Sequence, residues 1–321
     1  MRPIRTYRDV ADPADEDIVA QVVAQNDRLA ARLARVRRIV VVASGKGGVG
    51  KSAITANLAA ALADNGESVG AADADLNGPS LARMLGAEGA LRVDEDGVHP
   101  ATGAAGVRVM SMDLLLAADD APLRWATRTG DPDGDPHAGM PAFLLQSTLE
   151  AGAVREFLAD TAWGALDWLL VDAPPGTDKL LRLIELLPRI DALMLVTTPS
   201  EMARFVVAKS ARLARAAGAQ TVALVANMTT HRCEACGHAS PLFDADGARR
   251  LSEATGLPVW AEIPFDAHVA TLTDAGAPFV LHDTESAAGA ALVALAERLR
   301  AELPRPAATP ASPDPPPGPR P

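Results

Sequence analysis

The segment Gly45-Lys46-Gly47-Gly48-Val49-Gly50-Lys51-Ser52 decides the fold of this 321-residue chain. It follows an apolar run at residues 39–43, typical of a strand buried in a parallel sheet, and it precedes a helical pattern over residues 51–64. A glycine-rich loop in this position lets backbone N–H groups and a helix N-terminus surround phosphate groups. The segment therefore predicts a P-loop, in which Lys51 reaches the β- and γ-phosphates of a nucleotide and Ser52 binds Mg²⁺.

Strand and helix patterns alternate along the rest of the chain. Further strands are predicted at residues 69–73, 107–110, 168–172, 192–197, 221–227 and 258–263. Helices are predicted at residues 14–36, 142–158, 200–217, 247–255 and 286–303. Because strands that alternate with helices form parallel βαβ units, we expect an α/β fold with one doubly wound, mostly parallel sheet.

Charge and hydropathy argue against several classes of protein. The net charge is −11, whereas a dedicated nucleic-acid-binding protein normally carries a basic surface. No uncharged apolar run reaches about 18 residues, the length that a membrane helix requires. Residues 1–14 also lack the apolar centre of a secretory signal. We therefore expect a cytoplasmic protein that binds neither nucleic acid nor membrane.

Composition divides the chain into three parts. Residues 1–36 predict an N-terminal arm and an amphipathic helix, and residues 37–303 predict the P-loop ATPase domain. Within that domain, residues 113–141 are acidic and rich in turn formers, which predicts a surface insertion. Residues 304–321 are half proline, which predicts a disordered, extended tail.

Carboxylates end two of the predicted strands. Asp73-Ala74-Asp75 closes the second strand, and Asp75 is a candidate to orient a water molecule or Mg²⁺; Asp73 is either functional or structural. Asp172 follows four apolar residues, the Walker B arrangement that holds Mg²⁺ through its water shell. Gly176 comes shortly after and could direct its N–H at the γ-phosphate.

Lys46 sets this P-loop apart from an ordinary one. The chain has only four lysines, and two of them lie in this loop, which indicates a need for a compact ammonium group. A lysine at the start of the loop resembles the deviant Walker A group, which includes relatives of ParA, MinD and the nitrogenase iron protein. That resemblance implies a homodimer in which Lys46 reaches the nucleotide of the partner subunit. Ala53 stands where the group usually has threonine.

Other segments resemble a narrower family, the Mrp/ApbC-type iron–sulfur cluster carrier ATPases. They are Asp73-Ala74-Asp75-Leu76-Asn77-Gly78-Pro79-Ser80, Asp172-Ala173-Pro174-Pro175-Gly176-Thr177, Asn227-Met228 and Cys233-Glu234-Ala235-Cys236-Gly237-His238. The resemblance extends from residue 39 to 278 and implies that Asn227 contacts adenine. Two departures are that the family's Trp-Arg-Gly-Pro segment is absent and that Asp178-Lys179 replaces a usual Gly-Asp.

Cys233 and Cys236, the only cysteines of the chain, lie in a predicted loop at residues 228–243. Thiolates favour zinc, copper or iron–sulfur clusters. One pair supplies two ligands, so a two-fold dimer would supply the four that a 4Fe-4S cluster needs. Alternatively, His231 and His238 could complete a zinc site within one chain, although the short spacing strains that geometry. A redox-active or inert thiol pair is a third interpretation.

Together these features predict an ATP-dependent iron–sulfur cluster scaffold or carrier. We expect a slow ATPase that works as a homodimer with ATP, Mg²⁺ and a 4Fe-4S cluster, together with cluster-donating and cluster-accepting proteins. One alternative is a MinD- or ParA-like positioning ATPase, which would favour a basic amphipathic C-terminus that this chain lacks. Another is a zinc metallochaperone. The predicted nucleotide site comprises Gly45, Lys46, Gly47, Gly48, Val49, Gly50, Lys51, Ser52, Ala53, Gly176 and Asn227, with Lys46, Lys51, Asp75 and Asp172 as catalytic residues.

Overall fold

The computed structural model describes residues 18–89, 91–115, 152–200, 203–233 and 235–303. The strands are β1 Val36–Ser44, β2 Val69–Asp73, β3 Val93–Asp94, β4 Gly97–Val98, β5 Ala101–Thr102, β6 Arg108–Met110, β7 Leu166–Asp172, β8 Ala192–Thr197, β9 Thr221–Arg232, β10 Ala239–Pro241 and β11 Val259–Phe265. The helices are α1 Ile18–Leu33, α2 Lys51–Asp64, α3 Leu81–Met84, α4 at residues 152–160, α5 Thr177–Leu186, α6 Ala203–Ala216, α7 Gly247–Thr255, α8 Ala267–Asp274 and α9 Ala287–Glu302. Short 3₁₀ turns lie at Ala104–Gly106, Met112–Leu115 and Phe279–Leu281.

One nine-stranded sheet organises the described part of the chain. Its order is β10-β9-β8-β1-β7-β2-β6-β5, and β11 pairs with β9. All neighbours are parallel except β10 with β9 and β5 with β6. This topology confirms the predicted α/β fold with a mostly parallel sheet. It also puts β1 between β7 and β8, where the chain order reverses and α/β proteins bind their ligands.

Alternate residues of the central strands pack into two layers. Val40 and Val42 of β1 join a core with α2 and α9, whereas Ile39 and Val41 join a second core with α1, α4, α5 and α6. Helix α2 lies between the sheet and α9 and is buried almost all round, which its alanine-rich sequence allows. This double covering buries the central strands on both faces.

Strand β1 begins earlier than the sequence predicts. The predicted helix over residues 14–36 ends at Leu33, and β1 starts at Val36 and includes Arg37 and Arg38. Arg37 pairs with Asp167, and the Arg38 guanidinium lies 4.3 Å from the ring centroid of Trp168. These partners compensate the charges of the two arginines within the strand. The charge pattern alone therefore does not predict that β1 includes them.

The cysteine segment is also more regular than predicted. Strand β9 does not end at residue 227 but continues to Arg232 and pairs with β10 as an antiparallel hairpin. The ladder to β10 satisfies backbone groups that a loop would leave to water. Helices α5 and α8 lie in gaps between the predicted elements, and the sequence patterns do not give their bounds.

Several predictions concern residues outside the described ranges. They are the N-terminal arm, the start of the helix at residues 14–36, most of the acidic insertion, the first part of the helix at residues 142–158, and the proline-rich tail. Among the described helices, none combines the length and the apolar character needed to cross a membrane.

Candidate nucleotide and cysteine sites

The P-loop turns between β1 and α2 through two glycines in the left-handed region. Gly48 has φ 75° and Gly50 has φ 83°, and Gly50 directly precedes the first residue of α2. A Cβ atom on Gly50 would also lie only 2.3 Å from Nδ2 of Asn227. Only glycine meets both the conformational and the steric requirement at this position.

Lys51, Ser52 and Asp172 meet at the start of α2. The Lys51 ammonium lies 2.6 Å from Oδ2 of Asp172, and both side chains are buried. The Ser52 hydroxyl donates to the same carboxylate oxygen at 2.6 Å. A hydroxyl and a carboxylate are oxygen ligands of the kind that Mg²⁺ prefers, so these residues fit the predicted metal. The ion pair compensates both buried charges.

Thr55 is a member of this cluster that the sequence reasoning missed. Its hydroxyl donates to Oδ1 of Asp172 at 2.9 Å and to the carbonyl oxygen of Lys51 at 3.0 Å. The spacing could have predicted it, since a residue four positions after Lys51 lies on the same face of the helix. Thr55 fixes the orientation of the Asp172 carboxylate.

Asp73 organises the loop that follows β2. Its carboxylate accepts the N–H groups of Asp75, Ser80 and Leu81 at 2.8–3.0 Å and is fully enclosed. Burial, reinforced by the negative charge of Asp172, raises the pKa of Asp73 to about 7. This geometry favours the structural interpretation of Asp73.

Asp75 and Gly176 lie at the carboxyl edge beside the P-loop. Asp75 is half-buried, and its carbonyl accepts the N–H of Gly78 at 3.3 Å. Gly176 has φ 99°, and its N–H donates to the carbonyl of Ser44 at 3.3 Å. A cavity of about 470 Å³ opens next to Gly176. It is lined in part by Asp178-Lys179, the pair that differs from the usual Gly-Asp of the family.

Lys46 differs from Lys51 in its surroundings. It is exposed, and it forms no hydrogen bond or ion pair with any described residue. Val49 is buried and Ala53 is half-buried at the start of α2, so neither side chain projects into open solvent.

Asn227 joins β9 to the P-loop. Its buried Nδ2 donates to the carbonyl of Val49 at 2.9 Å. The next residue, Met228, has φ 58°, which is uncommon for a residue other than glycine. The resemblance assigns the Asn227 amide to adenine. In this structure the same amide instead links the P-loop to β9, the strand that precedes the cysteines.

Cys233 and Cys236 lie at the tip of the β9–β10 hairpin. The N–H of Cys233 donates to the carbonyl of His238 at 2.9 Å, and the N–H of Gly237 donates to the carbonyl of Cys233 at 2.8 Å. Cys233 is half-buried and Cys236 is exposed. The ring of His231 meets Phe265 edge-on at 6.0 Å. In the described ranges, no three side chains of His, Cys, Asp or Glu come together as a metal site.

The fold and the geometry of the phosphate loop define a P-loop nucleoside triphosphatase with a second, early lysine. A family model described as "ParA: NUBPL iron-transfer P-loop NTPase" matches residues 35–130 and 139–300. The chain belongs to this family, which confirms the resemblance predicted from its motifs.

Similar proteins and solved structures agree with this membership. The iron–sulfur cluster carrier protein of Saccharolobus solfataricus is 33% identical over 87% of this chain and 88% of its own. That of Deinococcus radiodurans is 37% identical over 84% of this chain and 70% of its own. A nucleotide-binding protein of Archaeoglobus fulgidus in complex with ADP is 32% identical, with a TM-score of 0.64 over 78% of this chain and 91% of its own. MinD of Pyrococcus horikoshii, complexed with Mg-ADP, has a TM-score of 0.53 over 82% of this chain and 96% of its own; at 22% identity it shows the fold alone.

Proposed function

We propose that this protein is a cytoplasmic, ATP-dependent carrier of iron–sulfur clusters. In a homodimer, Cys233 and Cys236 of each chain together hold one 4Fe-4S cluster as cargo. The observation that carries this proposal is the pair of thiols at the tip of a hairpin, in a chain that belongs to an iron-transfer family. Proteins that donate and accept clusters are then its partners.

The ligand count supports a site made by two chains. A cubane cluster needs four thiolates, and one hairpin supplies two. The described residues of a single chain assemble no third ligand beside them. The exposure of Cys236 also suits a cluster that must be received and released. The zinc alternative is less well supported, because the short spacing of His231, Cys233, Cys236 and His238 strains a four-ligand site within one chain.

ATP acts as the switch in this proposal. Lys51, Ser52 and Asp172 bind MgATP in each chain, and the exposed Lys46 crosses to the nucleotide of the partner subunit. Asp75 orients the attacking water. Hydrolysis is slow, because the site is complete only when two chains are correctly apposed. Turnover therefore controls the subunit contact, and with it the loading and transfer of the cluster.

A positioning ATPase is the second candidate, since MinD has the same fold. That function gives the cysteine hairpin no role. Helix α9, the last described helix, also carries Glu297 and Glu302 beside its two arginines, and one of these, Arg298, pairs with Glu302. It does not present the basic amphipathic face of a membrane-binding helix.

Anaerobic reconstitution with iron and sulfide tests the carrier function. We expect about four irons per two chains and a broad visible absorbance shoulder, as for one cluster on four cysteines. Cys233→Ala and Cys236→Ala should each abolish both signals and keep nucleotide binding. His231→Ala and His238→Ala are the matched controls and should keep the cluster. One zinc per chain, lost with either histidine, would instead establish a single-metal site.

A further inference from the structure

A stripe of side chains runs along the outer side of helix α6. Its members recur at the three- and four-residue spacing that puts side chains on one side of a helix. They line a groove of about 570 Å³ and are Phe205, Ala208, Lys209, Arg212, Leu213 and Ala216. Phe205 is 67% exposed, more than any other large hydrophobic side chain among the described residues. These six residues, which span about 16 Å of helix, are here named the α6 stripe.

The core of the protein does not require the apolar members of the α6 stripe. The opposite side of α6 packs into the second core with four buried residues, Ala203, Val207, Ala211 and Ala214. Helix α7 supplies Ala254 as the other wall of the groove, and Arg215 of α6 donates to the carbonyl of Gly256 at 3.3 Å. Phe205 therefore lies outside the core and beside a concave surface, which is typical of a site where another protein binds.

The α6 stripe is basic, although the chain as a whole is acidic. The sequence of α6 contains four arginine or lysine residues and no aspartate or glutamate, whereas the net charge of the chain is −11. Arg212 forms no hydrogen bond or ion pair with any described residue. Lys209 lies 3.7 Å from a carboxylate oxygen of Asp178, but both side chains are largely exposed, so this pair is weak. Two cations beside apolar side chains are therefore accessible to a ligand.

We propose that the α6 stripe docks an acidic segment of a partner protein. The segment inserts an apolar side chain beside Phe205 and pairs its carboxylates with Lys209 and Arg212. The inference rests on the proposed function, which requires partner proteins, and it names the surface that one of them contacts. Opposite charge steers such a segment to the stripe, and burial of the exposed ring contributes to its affinity.

A protein segment fits the groove better than two other occupants. An anionic membrane is flat and extended, so it would also meet the net negative charge of the chain and the exposed Glu253, the neighbour of Ala254 on the groove wall. A second copy that met the stripe about a two-fold axis would bring like cations together. A short acidic segment contacts the basic stripe alone.

Helix α6 also lies against both loops of the nucleotide site. A Cβ atom added to Gly45 would collide with the side chain of Val206, so α6 closely approaches the first residue of the P-loop. Asp178, which pairs with Lys209, follows Gly176 by two residues at the start of α5. A segment docked on the α6 stripe and a nucleotide in the P-loop are therefore neighbours of the same helix.

Fluorescence anisotropy with a labelled peptide tests the assignment on the full-length chain without cluster. The probe is a peptide of about twelve residues, with leucine at every fourth position and glutamate between, which matches the length of the stripe. We expect wild-type protein to bind it and Phe205→Ser to raise the Kd roughly tenfold, because burial of the ring is lost. Arg212→Glu should also raise the Kd and should reduce the salt dependence of binding, since it reverses a charge that attracts the peptide.

Val93→Ser and Arg35→Glu are the matched control variants. Val93 is 51% exposed on β3, outside the main sheet. Arg35 is exposed and directly precedes β1, at the end of the strand opposite the P-loop. Both controls should leave the Kd of the peptide unchanged, and circular dichroism checks that all four variants fold. A peptide with serine in place of leucine should bind more weakly to wild-type protein.

Several results would overturn the inference. They are absence of peptide binding by wild-type protein, and an equal Kd for wild-type protein and both α6 variants. Binding to phosphatidylserine vesicles that Phe205→Ser abolishes would assign the stripe to a membrane instead. Self-association that Phe205→Ser weakens in sedimentation would assign it to a second copy. The peptide measurement uses neither cluster nor ATP hydrolysis, so failure to take up iron in reconstitution would refute the carrier function and leave this test unaffected.

Discussion

The buried ion pair between Lys51 and Asp172 allows a double-mutant cycle in the nucleotide-free protein. Lys51→Met retains the length of the side chain and removes its charge. It leaves the Asp172 carboxylate, which is fully buried, with only the Ser52 and Thr55 hydroxyls as partners. Removing one member of a buried pair typically costs about 3–5 kcal/mol of unfolding free energy. We expect the lower part of that range, because the two hydroxyl donors remain.

Asp172→Asn completes the cycle and is measured by urea denaturation of all four proteins. This substitution leaves the Lys51 ammonium buried without a counter-charge, so the single variant should also be destabilised. The double variant should lose less than the two single losses combined, by more than about 1 kcal/mol, since residues in one network couple. Additivity within about 0.5 kcal/mol would refute the ion pair as a stabilising contact. Lys51→Met should in addition abolish ATP turnover, because the side chain that compensates the β- and γ-phosphates is gone.

Three further predictions concern the same edge of the sheet. The Lys46→Ala variant should keep nucleotide binding and lose ATP turnover. If Lys46 acts across the dimer, mixing this variant with the Lys51→Ala variant should restore some ATPase activity. Complete inactivity of the mixture would argue against action in trans. Thr55→Val retains the shape of the side chain, but the Asp172 carboxylate loses a hydrogen bond of about 1 kcal/mol. Mg²⁺-dependent ATP binding, measured by calorimetry, should therefore weaken severalfold. Equal affinity of the two proteins would exclude an orienting role for Thr55. The folded pKa of Asp73 is about 7 against 3.8 for an ordinary aspartate, so the folded protein holds the extra proton between these values. Its unfolding free energy should therefore fall as pH rises from about 4 to 7, by at most about 1.4 kcal/mol per pH unit, and Asp73→Asn should remove this contribution; parallel pH profiles of the two proteins would contradict it.

Local patterns were sufficient to predict which residues meet at the end of β1. The apolar run before Gly45, the glycines of the loop and the carboxylate after β7 are each encoded by neighbouring residues. Their meeting follows from the parallel sheet, because the carboxyl ends of its strands lie at one edge. That is why the sequence alone predicts that Lys51, Ser52 and Asp172 lie close together.

Long-range contacts could not be predicted in the same way. The bond from Asn227 to Val49 joins residues 178 positions apart, and only the strand order brings them together. The continuation of β9 to Arg232 depends on pairing with β10 and β11, which periodicity over residues 228–243 does not reveal. The Arg38–Trp168 contact was hidden for a related reason, since it needs β1 and β7 to be neighbours.

Strand order also determines how closely the two proposed activities are linked. Only β8 separates β1, which precedes the P-loop, from β9, which precedes the cysteines, so the two strands lie about 10 Å apart. Cys233 follows Asn227 by six residues, about 20 Å along β9, and Asn227 is hydrogen-bonded to the P-loop. Both sites therefore lie at one edge of the same sheet, and a second copy that approaches this edge meets both. In such a dimer, one contact between the chains completes the ATP site and another encloses the cluster. These two contacts form or separate together. A carrier built on this sheet therefore needs no separate hinge to couple ATP hydrolysis to cluster release.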